Sequence, residues 1–389
     1  MTDNSPPALK ALSLLDPDIV FLNHGSFGAT PRPVFDVYQD WQRRLEHQPV
    51  QFIGRDVTDH FLQARSTLGQ YLNVPAADLA FVPNATTGVN VVARSLPLNP
   101  GDEILTTDHE YGACLNAWDF VCRRTGAEIV QQPITLPAAS QEEIVEQFWQ
   151  GVSPRTRVIY LSHITSATAL CLPVEAICQR ARERGILTLI DGAHALGQVD
   201  LDLIRLGADF YTGNCHKWLS APKGSAFLYA RPERQSLIEP LIVSWGWGDE
   251  PPFDFGSPFL NFLQWGGTLD VSAYLSVPAA IRFQQDYDWP TVRVRCHDLV
   301  REAVHRISDL TGLSPLYPDD VGLYHQMATI PLPSGTDLEG LKTRLYDDYH
   351  IEIPTIDWQA RPFIRISIQG YNSAADVDAF VSALQSLLF

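Results

Sequence analysis

The sequence predicts an α/β protein with two parts. The large domain is built on a mostly parallel sheet sandwiched by helices, and a smaller α+β domain follows at the C-terminus. Three observations carry this. Between about residues 80 and 230, short β-branched apolar runs alternate with segments of helical period. Beyond about residue 270, helical stretches enclose two strand candidates instead. At 389 residues the chain is long enough for two or three domains, with no disulfide or metal needed to hold a core. Strand–helix alternation implies parallel strands, because each crossover helix carries the chain back across the sheet face.

Taken in order, Phe81-Val82 is an apolar run leading into a helix marked by Val89, Val92, Ala93 and Leu96 at i, i+3, i+4, i+7. Glu103–Thr107, Val158–Ser162 and Ile186–Asp191 are short and nearly all apolar, as strands covered on both faces are. Ser140 and Glu143 form a capping box ahead of Ile144, Val145, Phe148 and Trp149. Pro173 at the first helical position and Gly185 just past the end bracket a helix through Ala176, Ile177 and Ala181. Phe210-Tyr211-Thr212 is a further strand. Gly246–Leu260, rich in Gly, Pro and aromatics, reads as a long functional loop or interdomain connection. Helices over Val271–Tyr287, Val294–Leu310, Thr336–Asp348 and Ala374–Leu388 then surround strands at Tyr324–Leu332 and Phe363–Ile368.

The formal net charge is −17, which repels phosphate backbones and anionic lipid, so neither nucleic acid nor a membrane surface is expected as a partner. No apolar run approaches the roughly 20 residues of a spanning helix. Met1 to Lys10 lacks the basic-then-apolar order of a signal peptide. The six cysteines form no C-x-x-C and no zinc spacing, which points to reduced thiols and a cytoplasmic enzyme. Familiar motifs fail. Gly246-Trp247-Gly248 continues into Asp249-Glu250-Pro251, which breaks the dinucleotide fingerprint. His109-Glu110 has no histidine at the zincin spacing, and Gly25-Ser26-Phe27-Gly28 lacks the spacing of a nucleophile elbow.

Three features survive, all just past strand ends, where open α/β sheets bind ligands. Asn84-Ala85-Thr86-Thr87-Gly88 offers small residues, two hydroxyls and a helix N-terminus, a cradle for phosphate or, more plainly, a capped helix start. Asp191 ends an apolar strand, where a desolvated carboxylate calls for a cation or caps the next helix. Lys217, in Asn214-Cys215-His216-Lys217-Trp218, is either a Schiff-base nucleophile or a solvated loop lysine. In this order the three match the demands of pyridoxal phosphate: a phosphate site, a carboxylate for the pyridinium nitrogen and a lysine for the aldehyde.

The order of motifs resembles the class V aminotransferase family of fold-type I pyridoxal-phosphate enzymes, and most closely its isopenicillin N epimerase-like branch. The resemblance spans Phe21–Gly28, Asn84–Gly88, Thr107-Asp108-His109-Glu110-Tyr111, Asp191-Gly192-Ala193-His194, His216-Lys217 and Gln264-Trp265-Gly266-Gly267-Thr268. It implies that Lys217 bonds the cofactor covalently and that Asp191 pairs with its ring nitrogen. Ala85, Thr86, Thr87, Asn214 and His216 would hold the phosphate, and Tyr111 would stack on the ring. Ser166 and His194 would contact the phenolic oxygen, where relatives often carry Asn and Gln. Thr268 would reach the phosphate of a neighbouring subunit, making a homodimer with shared sites. Arg365, with Asn23 and His24, would bind an amino-acid-type substrate through its carboxylate. The implied division is an N-terminal segment 1–30 serving the site and the small domain, a large domain 31–270 and a small domain 271–389.

The same likeness implies chemistry at the substrate α-carbon. Epimerisation or racemisation is the first expectation. A C–S β-lyase acting on cysteine, cystine or a thioether sulfoxide is the alternative, and a transaminase the third. Inversion needs a proton donor opposite Lys217, for which Tyr111 is the first candidate and His24, titrating nearer neutrality, the second. Cysteine desulfurases of this fold carry a nucleophilic Cys before the carboxylate-binding arginine; Glu352 to Arg365 contains none, so persulfide transfer is not expected.

Overall fold

The computed structural model describes residues 2–248, 250–319 and 322–389. Its strands, in chain order, are β1 (Val20–Phe21), β2 (Leu79–Val82), β3 (Glu103–Thr107), β4 (Glu128–Gln132), β5 (Thr156–Ser162), β6 (Leu187–Asp191), β7 (Phe210–Asn214), β8 (Ala226–Ala230), β9 (Met327–Pro331), β10 (Ile351–Glu352), β11 (Thr355–Trp358) and β12 (Arg361–Ser367). The large sheet has the order β2-β8-β7-β6-β5-β3-β4, and only β8 runs against its neighbours. The C-terminal ends of β2, β3, β5, β6 and β7 therefore share one edge, and the loops leaving them meet there.

Helices cover both faces because the central strands are apolar on both sides. Every residue of β3, β7 and β8 is buried, and the largest fully buried side chains include Trp118, Trp218, Tyr160, Tyr211 and Phe148. The helix Ala85–Ser95 lies so close to β7 that a Cβ on Gly88 would stand 2.2 Å from Thr212 Oγ1.

The C-terminal part holds the antiparallel sheet β11-β12-β9, packed with the helices Trp289–Thr311 and Ala374–Leu388. The N-terminal segment is stitched into it. β1 pairs in parallel with β10, and the Ser367 N–H donates to the Leu22 carbonyl at 2.9 Å. Among the described residues no helix is long and apolar enough to cross a membrane.

Several local expectations shift. Pro173 is the N-cap of the helix Val174–Glu183 rather than its first residue, while Gly185 takes the left-handed turn just past its end (φ +67°). Ser140 caps the Glu143 N–H at 3.2 Å, but the Glu143 carboxylate reaches back to the Ala139 N–H at 2.7 Å, so the capping box is only half made. Five strands have no counterpart in the sequence pattern: the short β1, β10 and β11, the half-exposed edge β4, and β8, which returns antiparallel after the lysine loop. The Gly246–Leu260 segment is irregular among its described residues until a helix begins at Pro258.

Candidate active site

The shared strand edge opens into a cleft of about 380 Å³. Ten of the residues expected from the sequence line it: Ala85, Thr86, Tyr111, Ser166, Asp191, His194, Asn214, His216, Lys217 and Arg365. β2 delivers the first two, β3 delivers Tyr111, β5 delivers Ser166, β6 delivers Asp191 and His194, and β7 delivers the Asn214–Lys217 run.

At the helix N-terminus, the Ala85 N–H donates to Asn214 Oδ1 at 2.8 Å, which ties β7 to the cradle. Asn84 Oδ1 accepts from both the N–H and the hydroxyl of Thr87, at 2.8 and 3.0 Å. Thr87 is therefore engaged in capping and is absent from the residues that line the cleft. The hydroxyl of Thr86 and the Nδ2 of Asn214 have no partner among the described residues, on a helix end whose dipole favours an anion.

Asp191 is 3% exposed. Its carboxylate accepts from the Ala193 N–H (2.9 Å), the Tyr160 hydroxyl (3.3 Å) and the Cys114 thiol (3.5 Å), all neutral donors. Burial pushes its pKa up, and no ion pair to it exists among the described residues. A buried carboxylate in that position is costly until a cation meets it, and a protonated pyridine nitrogen is such a cation.

Lys217 Nζ lies 3.1 Å from His194 Nε2, and burial pulls its pKa down to about 8. Desolvation likewise holds His216 down near about 4, with Nδ1–H donated to the Ser225 carbonyl at 3.0 Å. Arg365 is 4% exposed. Its Nη1 donates to the Ser166 carbonyl (2.6 Å) and hydroxyl (3.2 Å), and its Nη2 to Ser26 Oγ (3.1 Å). Nε has no partner and, among the described residues, no carboxylate pairs with the guanidinium.

Three expected residues stand elsewhere. His24 is fully buried, outside the cleft lining, between the Lys217 carbonyl and the Tyr371 hydroxyl, each at 3.0 Å. Desolvation holds it neutral, near about 3, so it is no proton donor at neutral pH. Asn23 supports the site from behind: its Oδ1 accepts from Ser26 Oγ at 2.6 Å, and Nδ2 donates to Glu352 Oε1. Thr268 is exposed and outside the cleft of its own chain.

Sequence reasoning gave no role to Ser26, Phe27, Ser162 and Ile164, which also line the cleft. It also missed Glu110, which ties β3 to β5 by accepting from Thr107 Oγ1 (2.9 Å), the Ser162 N–H (2.9 Å) and Ser162 Oγ (2.6 Å). Burial pushes Glu110 up to about 7. The residues that quote a motif were visible; those that brace it depend on segments meeting across the fold.

A doubly wound sheet with an anion cradle, a strand-end carboxylate lacking its cation and a depressed lysine defines a pyridoxal 5′-phosphate enzyme, and the residues present fit that cofactor. The chain belongs to the aminotransferase class-V family, whose model matches residues 20–380. It is 38% identical over 384 residues to isopenicillin N epimerase of Amycolatopsis lactamdurans, with 96% of each chain covered. It is 27% identical to a probable chloroplastic L-cysteine desulfhydrase of Arabidopsis thaliana, covering 96% of this chain and 84% of that one. Among solved structures, a mutant of C-DES with glycine covalently linked to its PLP cofactor superposes with a TM-score of 0.83 at 21% identity, covering 100% of both chains.

Proposed function

We propose that the protein is an epimerase or racemase acting at the α-carbon of an amino acid or an amino-acid-containing substrate. The observation that carries the substrate class is Arg365, a buried guanidinium that faces the cleft without a counter-ion and so has a place for a carboxylate. Likeness to isopenicillin N epimerase favours inversion over the alternatives. No cysteine lines the cleft, which speaks against persulfide transfer; Cys114, beside Asp191, is buried, and its thiol is pushed far up.

Bound pyridoxal phosphate supplies the electron sink that acidifies the substrate α-hydrogen. Thr86, Asn214 and His216 would hold the phosphate, and Asp191 would keep the ring nitrogen protonated. Arg365 orients the α-carboxylate. Lys217 Nζ is the base on one side of the α-carbon, poised by a pKa near neutrality. Tyr111 would serve as the stacking platform for the ring and as the second proton donor; it is 48% exposed, and its hydroxyl has no partner among the described residues.

The functional unit is a cytoplasmic homodimer. Thiols without disulfides support the compartment. For the dimer, the support is a strip of exposed apolar side chains, Ile242, Val243, Trp245 and Trp247, each 57–68% exposed. Ile242 lies within 3.8 Å of where a Gly266 Cβ would be, so the strip adjoins the Gly266-Gly267-Thr268 turn. A second copy covering it would bring that turn toward the neighbouring phosphate site.

The test is a panel of single-enantiomer amino acids, cystine and thioethers given to the holoenzyme in D2O. Inversion with deuterium at the α-carbon is expected, and Tyr111→Phe should keep exchange with retention while losing inversion at least tenfold. Pyruvate and sulfide without inversion would make it a lyase, and stoichiometric 2-oxo acid a transaminase.

A further inference from the structure

Trp218, His194 and Lys217 form a row of contacts. The Trp218 indole nitrogen lies 3.2 Å from His194 Nδ1, and His194 Nε2 lies 3.1 Å from Lys217 Nζ. An indole N–H can only donate. His194 Nδ1 must therefore accept, and carries no proton. Burial keeps His194 neutral, and the nearby Arg365 charge adds repulsion against protonation. A neutral imidazole holds one proton, which is left to Nε2 and directed at Lys217.

That decides which form of Lys217 the contact stabilises. Nε2–H has no lone pair to offer, so the 3.1 Å contact is a hydrogen bond only when Nζ supplies one, as a neutral amine. An ammonium would set two donors face to face. The groups around Nζ pull both ways: burial and Arg365 lower its pKa, while Asp191 and Cys114 raise it. Trp218 itself cannot turn aside. It is fully buried, its ring lies 5.0 Å from the His24 ring, and its carbonyl accepts from Gln284 Nε2 at 2.8 Å.

We propose that Trp218 is a positioning residue for the covalent lysine: its indole N–H fixes His194 in the Nε2–H tautomer, and His194 in turn orients Lys217 Nζ as an unprotonated amine. The second half rests on Lys217 being the covalent residue, and the first does not. The chain order His216-Lys217-Trp218 thus places the nucleophile and the donor that sets its partner's tautomer side by side.

The test uses the full-length protein freed of cofactor and labelled with 15N-histidine, with His194 identified by the signals lost in His194→Gln. At neutral pH, Nδ1 is expected in the unprotonated range and Nε2 in the protonated range. In parallel, pulse acetylation read by mass spectrometry gives the pH midpoint of Lys217. Replacing Trp218 by its isosteric 3-benzothienyl analogue keeps the bicyclic shape and removes only the donor. Protonated Nδ1 should then appear, and the Lys217 midpoint should rise by about one unit, a roughly tenfold loss of reactive amine below the midpoint. Trp218→Phe should move both readouts in the same direction. A wild-type His194 protonated at Nδ1, or an analogue protein with unchanged tautomer and midpoint, would overturn the proposal. Borohydride fixation of the cofactor in the same analogue protein separates the two claims. A tag on Lys217 with an unmoved tautomer overturns only the role of Trp218, and a tag elsewhere overturns Lys217 itself.

Discussion

Arg365 meets Ser26 and Ser166 but no acid, so its charge is uncompensated until an anion arrives. A charge-assisted pair with a substrate carboxylate is worth about 1.5–3 kcal/mol. Arg365→Ala should therefore raise KM by about 10–100-fold, with a smaller change in kcat. An unchanged KM in a folded variant would remove Arg365 from the substrate site. At this scale the residue type alone picked out Lys217, Asp191 and Arg365, and all three line one cleft. The sequence was least legible where a role depends on burial. His24 looked like a neutral-range titrating group, yet full desolvation silences it. Ser26 braces Arg365 from 339 residues away in the chain, a meeting no local pattern announces.

At the scale of elements, the phosphate cradle depends on how closely the helix Ala85–Ser95 approaches β7. An added Cβ at Gly88 would collide with the Thr212 hydroxyl and Cβ, on a β-branched side chain with little freedom to move. Gly88→Ala should destabilise the fold by about 1–3 kcal/mol and weaken cofactor retention, read by denaturant unfolding and equilibrium dialysis. Gly54→Ala, where the nearest atom is a Val50 methyl at 3.9 Å, is the control and should leave both near wild type. A Gly88→Ala protein as stable as that control would mean that the helix can ride outward freely. The buried parallel strands β3, β5 and β6 were readable almost to the residue, because a short apolar run between two helical periods fits a strand covered on both faces and little else. β4 and β8 were not, since an edge strand shows a mixed face and an antiparallel return breaks the alternation rule.

For the whole molecule, the exposed strip Ile242-Val243 with Trp245 and Trp247 is an apolar surface that a second copy would cover. Trp245→Glu together with Trp247→Glu should shift sedimentation from dimer to monomer and release cofactor, while Thr268→Ala should loosen the cofactor without dissociating the dimer. A wild-type protein that sediments as a monomer and keeps its cofactor would refute shared sites. The Trp-Gly-Gly-Thr turn was legible as a motif, but the strip beside it was not, because side chains contiguous on a surface need not be contiguous in any periodic pattern.

Lys217 as the covalent cofactor residue is tested most directly by borohydride reduction of the holoenzyme followed by peptide mapping. The reduced pyridoxyl tag is expected on Lys217 alone, and Lys217→Ala should abolish it while leaving the fold intact. A tag on Lys223, or on Lys342 in the C-terminal part, would contradict a site centred on the ends of β6 and β7.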